Sequence, residues 1–185
     1  MRWNELDEEH CSIARTLSII GDRWTLLILR ECFMRVRRFE YFQNRLGITR
    51  HVLADRLRKL VEAGLLVRVP YQERPLREEY RLTEKGLDIY PVLMSILSWG
   101  DRWRTDSEGV PVLHRHLDCG HHFRPVVSCS ECGEPLDPRR VSPEPGPGIT
   151  DEAALRYFTF GRHGSSGALP APRRPAPAND DGAVD

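Results

Sequence analysis

Apolar positions recur with a helical period through most of the first hundred residues, switch once to the period of a strand, and then return to the helical one. Over residues 11–32, Ile13, Leu17 and Ile20, then Trp24, Leu27, Ile28 and Cys32, make one stripe. Gly21 and Asp22 interrupt it, and Ser12 is placed to cap its first half. Residues 26–29 are apolar nearly all round, which predicts burial by the chain's own core on one side and by a partner subunit on the other. A basic connector, 35–38, leads into a short helix over 37–46 with Phe39, Phe42 and Leu46 inward. The turn Gly47, Ile48, Thr49 opens the next helix, with Thr49 as its cap and Gly64 as its stop. Leu53, Leu57, Leu60 and Val61 line one face of it, and Arg50, His51, Arg56 and Lys59 fall largely off that face. Helix, short turn, helix is a helix-turn-helix.

After Gly64 the alternation of residues 65–70 predicts a strand, 71–77 a polar tip containing Pro75, and 78–83 a second strand. Thr83 then caps a long helix on which Ile89, Leu93, Ile96, Trp99 and Trp103 share a stripe and Pro91 introduces a kink. So small a module leaves this stripe little of its own to cover, which points to a homodimer. The fold class is mainly α with a small β-hairpin wing (α+β). The expected organisation is a tail over 1–10, a DNA-binding and dimerisation domain over 11–107, a Cys/His-rich segment over 108–142, and a Pro/Gly-rich tail over 143–185. Within that tail, 151–158 reads as one short helix and 161–185 as disordered, because large apolar residues are nearly missing from it.

Charge sharpens the picture. The chain is neutral, yet residues 35–85 hold thirteen Lys/Arg against seven Asp/Glu, while both flanks are net acidic. The excess sits on the helix-turn-helix and hairpin, as a phosphate-facing module requires. In the first turn of a recognition helix, Arg50 and His51 reach base edges, and an Arg there suits guanine. Thr49 and the helix N-terminus suit a phosphate. Arg38, Lys59, Arg74 and Arg77 are candidates for backbone or minor-groove contact. Arg56 divides evenly between DNA and a structural ion pair with an acidic neighbour.

No apolar run approaches the roughly 20 residues of a membrane span, and the acidic start of the chain is unlike a secretory signal. A cytoplasmic protein is expected, with its five cysteines reduced, metal-bound or redox-active. Cys119 and His122, then Cys129 and Cys132, give C-x2-H and C-x2-C, the donor set of a structural zinc site. His116 and His121 compete with His122 for the fourth place. Three thiolates and one imidazole leave no open position, so such a zinc would be structural. With no nucleophile elbow, phosphate loop or open metal site, the sequence does not read as an enzyme.

The stretches 11–31, 37–42 and 47–68, the hairpin tip 71–75, and residues 78–86 with Trp99 and Gly100 resemble the HxlR-type family. These are winged helix-turn-helix transcription regulators related to the MarR group. The resemblance covers residues 10–104. It implies a homodimer built from the first helix and the long helix after the wing. It also implies a pseudo-palindromic double-stranded DNA operator read by one recognition helix per half-site, and repression is the expected outcome. In several members a cysteine near the N-terminus senses an effector, and Cys11 stands at the matching position. Arg15 and the helix start favour a reactive thiolate there, Glu8 and Glu9 oppose it, and a small half-buried hydrophobe is the plain alternative. Cys32 reads as core. The alternative to a DNA-binding regulator is a zinc-stapled module whose winged helix docks protein, and salt dependence of binding separates the two.

Overall fold

The computed structural model describes residues 3–149, so the expected helix over 151–158 and the tail over 161–185 lie outside the described residues. A short 3-10 helix, Trp3–Glu8, precedes α1, Ser12–Ile20, and α2, Arg23–Phe33. Ser12 is not the cap of α1. Cys11 is the last extended residue (φ −136°, ψ 116°) and holds the cap position without a side-chain bond, so Ser12 is already helical. The break at Gly21 and Asp22 is also a start signal. The Asp22 carboxylate accepts hydrogen bonds from the backbone N–H of Trp24 (2.9 Å) and Thr25 (3.3 Å).

α3, Phe39–Leu46, ends at Gly47, whose φ of +60° favours a residue without Cβ. α4, Arg50–Glu62, starts two residues later from Thr49. The core forms where these helices meet α2. Ile28, Leu29, Phe42, Leu53 and Leu57 have no exposed surface, and Ile48, Leu60, Leu65 and Leu66 are buried beside them. Burial of this apolar stripe is what fixes α4, since each such side chain contributes about 1.5–3 kcal/mol when removed from water.

β1, Leu66–Glu73, pairs antiparallel with β2, Leu76–Leu82, from Leu66 opposite Leu82 to Glu73 opposite Leu76, with an irregularity between Pro70 and Gln72. The strands run further than the alternation predicted. Most of the polar stretch 71–77 is paired strand, and only Arg74 and Pro75 form the turn. A solvated hairpin needs no apolar alternation once its backbone register is set. The backbone N–H of Tyr80 donates to the Arg37 carbonyl (2.8 Å), tying the hairpin to the connector before α3.

The expected single kinked helix is two helices, α5, Glu84–Leu87, and α6, Tyr90–Trp103. Pro91 lies in the first turn of α6, where its missing N–H costs no hydrogen bond, so it starts a helix instead of kinking one. Thr83 caps α5 as expected: its hydroxyl accepts from the Gly86 N–H (3.0 Å) and donates to the Gly64 carbonyl (2.6 Å). No residue of 104–149 is buried. Within 104–135 the backbone makes two isolated antiparallel bridges, Arg115 with His122 and Ser128 with Pro135. A separate compact unit begins at Leu136, and its described part holds one 3-10 turn, Pro138–Arg140.

Candidate nucleic-acid interface

The apolar side of α4 is spent on the core, so its N-terminal turn is free to face outward. Arg50 and His51 are exposed. The Arg50 guanidinium stacks on the Phe39 ring, 5.1 Å from its centroid, which aims it from the start of α3. Thr49 caps α4 through its backbone alone, so no cap bond occupies its hydroxyl. Arg38, at the N-cap of α3, lies over Tyr71 of β1 (4.4 Å) and near Tyr41 (5.9 Å). That contact brings the first helix of the pair against the wing. Arg74 in the hairpin turn and Arg77 on β2 are both exposed.

Two other basic residues of α4 are placed differently. The Arg56 side chain is only 23% exposed; its Nη2 donates to Asp22 Oδ2 (3.0 Å) and its Nη1 to Asp55 Oδ2 (2.8 Å). It ties α4 to the start of α2, the ion pair with acidic neighbours that was one half of the expectation for Arg56. Burial alone would raise the pKa of Asp22, but the Trp24 N–H and the Arg56 guanidinium outweigh it and hold the carboxyl below its ordinary value. Lys59 stays exposed while touching Asp55 (3.1 Å). Arg58, which periodicity does not single out, donates to both Asp55 (2.7 Å) and Glu62 (2.8 Å). Hydrogen bonds from Arg58 and then Lys59 lower the Asp55 pKa.

Glu31 is a buried carboxylate that the helical stripe alone does not mark as charged. It is 1% exposed in the last turn of α2, with Arg30 Nη2 at 2.7 Å and Arg45 of α3 on its other oxygen. Burial pushes its pKa up, but the two guanidiniums outweigh that and hold it below the usual carboxylate range. Its signal was available: Glu31 stands three residues after Ile28, on the buried stripe, where a carboxylate needs a cation.

The cysteines divide sharply. Cys32 is buried, and desolvation with the neighbouring Glu31 charge pushes its thiol up to about 12. Cys11 is exposed at the start of α1, and the Nε of Arg15 donates to the Glu9 carbonyl (2.7 Å). In the Cys/His segment His116 Nδ1 lies 3.4 Å from Cys119 Sγ, whereas His122 occupies the bridge opposite Arg115. Backbone N–H groups of Cys132 and Glu131, then the Cys132 thiol, lower the Cys129 pKa. Donors thus come in two pairs, Cys119 with His116 and Cys129 with Cys132. Among the described residues no three His, Cys, Asp or Glu side chains stand together as a metal cage. No helix among the described residues is long and apolar enough to cross a membrane.

The family model described as HxlR-like helix-turn-helix matches residues 19–108. The chain is 49% identical over 143 residues to the HTH-type transcriptional regulator Rv3095 of Mycobacterium tuberculosis, covering 77% of this chain and 90% of the relative. A stretch of that length in a chain of 185 must include residues 43–143, so the match runs on through the Cys/His segment. The crystal structure of PA1607, described as a transcription factor, superposes with a TM-score of 0.66 at 38% identity, over 75% of this chain and 98% of that one. PA1374 from Pseudomonas aeruginosa, also described as a transcription factor, gives 0.55 at 36% identity, over 79% of this chain and 99% of that one.

Proposed function

The chain belongs to the HxlR-like helix-turn-helix family of transcriptional regulators, a non-enzymatic family, and from that premise we propose that it represses transcription by binding a pseudo-palindromic operator as a homodimer. One observation carries the dimer. On α6, Ile96, Trp99 and Trp103 are 48%, 60% and 57% exposed and recur at the spacing of one helix face, and Ile13 on α1 is 72% exposed. Beside them an open apolar groove of about 790 Å³ runs between α2 and α6, lined by Leu26, Leu27, Phe33, Tyr90 and Leu97. Apolar surface of this extent is the mark of an interface. A second copy of the same helices covers it, and two-fold symmetry then presents two α4 helices to successive major grooves.

In this reading Arg50 and His51 contact base edges, Thr49 and Arg38 contact phosphate, and Arg74 and Arg77 carry the wing to the flanking backbone. Arg56 positions the helix. Repression follows where the operator overlaps a promoter. Genome-wide footprinting is the test. Protection of paired half-sites about 10 base pairs apart over promoters is the expected result. Binding to one such operator falls steeply with salt, because each neutralised phosphate adds about 0.9 to the log–log slope. Unchanged low-salt affinity in Arg50→Ala and Arg74→Ala would refute the groove-and-wing assignment. The same salt series separates this reading from a winged helix that docks protein, which the relatives do not favour. We also propose Cys11 as a sensing thiol. Its exposure supports that role, and operator release by a quinone that persists in Cys11→Ser excludes it.

A further inference from the structure

Residues 111–135 bury no side chain, yet they hold two turns that copy one another. In the first, the Gly120 N–H donates to the His116 carbonyl (2.8 Å) and the His116 N–H to the His121 carbonyl (2.9 Å), while Arg115 bridges His122. In the second, the Gly133 N–H donates to the Cys129 carbonyl (2.9 Å) and the Cys129 N–H to the Glu134 carbonyl (2.9 Å), while Ser128 bridges Pro135. Each bond and each bridge has its counterpart at a constant offset along the chain. Both turns close on a glycine in the left-handed region, Gly120 at φ +76° and Gly133 at φ +74°.

This register aligns His116 with Cys129 and Cys119 with Cys132. Each turn therefore presents two soft donors, three residues apart, on the same side of a tight backbone loop. In the first turn the two donor atoms already lie 3.4 Å apart. The register also distinguishes the three histidines. His116 falls at the place of Cys129, whereas His121 and His122 fall at the places of Glu134 and Pro135.

We propose that the segment is a zinc-binding staple in which His116, Cys119, Cys129 and Cys132 hold one structural zinc ion between the two turns. Three thiolates and one imidazole are a closed tetrahedral set. The ion draws the two pairs together, since each turn alone supplies only half a cage. It also supplies what the segment lacks, because ordering some twenty-five residues without burying any of them leaves conformational entropy unopposed. Metal binding coupled to folding is how small core-poor segments are held.

The test uses the full chain, purified under reducing conditions without chelator, and elemental analysis for zinc. One zinc per chain is expected. Metal-free protein titrated with Co²⁺ should show thiolate-to-cobalt charge transfer saturating at one equivalent. His116→Ala and Cys132→Ser should weaken Co²⁺ binding at least about 100-fold, and His122→Ala should leave it unchanged. His116→Cys should retain binding and add the charge-transfer intensity of a fourth thiolate, which guards against loss of binding through misfolding. A chain without zinc that also gives no cobalt charge transfer overturns the proposal. So does a His122→Ala variant that loses the ion while His116→Ala keeps it.

Discussion

Arg50 and Arg56 lie within one helix and have opposite expected phenotypes. Arg50 is exposed and, among the described residues, rests on the face of Phe39, so its guanidinium is available to a base. Arg50→Ala should cost about 1–3 kcal/mol of operator binding and relax preference at one base pair, with thermal stability unchanged. Arg56 is occupied by Asp22 and Asp55. Arg56→Ala should lower folding stability by about 1–2 kcal/mol, since the pair is partly buried and Asp22 keeps its backbone bonds. Fluorescence anisotropy with operator DNA and urea unfolding, run on both variants, separate the two roles. Periodicity could not make this distinction, because it places both arginines off the apolar face and carries no information about a partner thirty-four residues earlier. Glu31 gives a pH prediction. Its folded pKa lies below the ordinary 4.5, so its contribution is complete above about that pH and is lost as pH falls through the folded value. Glu31→Gln should cost about 2 kcal/mol at neutral pH and flatten the loss of stability below pH 4.5 in acid titrations followed by circular dichroism.

At the scale of elements, the joint between α4, the hairpin and α5 is tightly packed around the Leu65 carbonyl. A Cβ on Gly86 would stand 2.1 Å from the Leu65 carbonyl oxygen, the same oxygen that accepts from the Thr83 N–H (3.1 Å). Gly86→Ala must move backbone, not a flexible side chain, and should destabilise by about 1–3 kcal/mol. Gly47→Ala meets open space and should cost only the roughly 1–2 kcal/mol of a left-handed backbone. Urea midpoints of the two variants compare them directly, and a Gly86→Ala chain as stable as wild type would show that α5 does not bear on Leu65. The helices and the order of elements were legible because burial imposes a period: Leu53, Leu57 and Leu60 are buried as their spacing required. The misread details are those that burial does not govern. The hairpin tip is solvated, so its register follows backbone pairing past the irregularity near Tyr71. Pro91 is neutral in a first turn and disruptive in a third, and the sequence pattern is the same for both.

For the whole molecule, zero net charge hides a division of labour: the basic excess lies on the helix-turn-helix and wing, whereas α1 and α6 each present exposed apolar side chains, Ile13 and Leu17 on the first and Ile96, Trp99 and Trp103 on the second. The two surfaces are coupled only if dimerisation sets the spacing of the two α4 helices. A monomer carrying an intact recognition helix reads one half-site, whereas a dimer gains the second as an intramolecular event, an advantage of about 10²–10⁴-fold when the geometry fits. Trp99 is the sharpest probe, because the residue is 60% exposed in the isolated chain and so contributes little to the monomer's own core. Trp99→Asp should leave helical circular dichroism intact, shift the chain to a monomer in sedimentation equilibrium, and weaken binding to the full operator by at least about 100-fold. Binding to a single half-site should change little. Arg50→Ala should do the reverse, keeping the dimer and losing the half-site. If Trp99→Asp remains dimeric with wild-type affinity, the α6 face is not the interface and the exposed tryptophans need another partner. If it becomes monomeric and still binds the full operator as tightly as wild type, the two-fold reading of the operator falls while the placement of α4 in the groove stands.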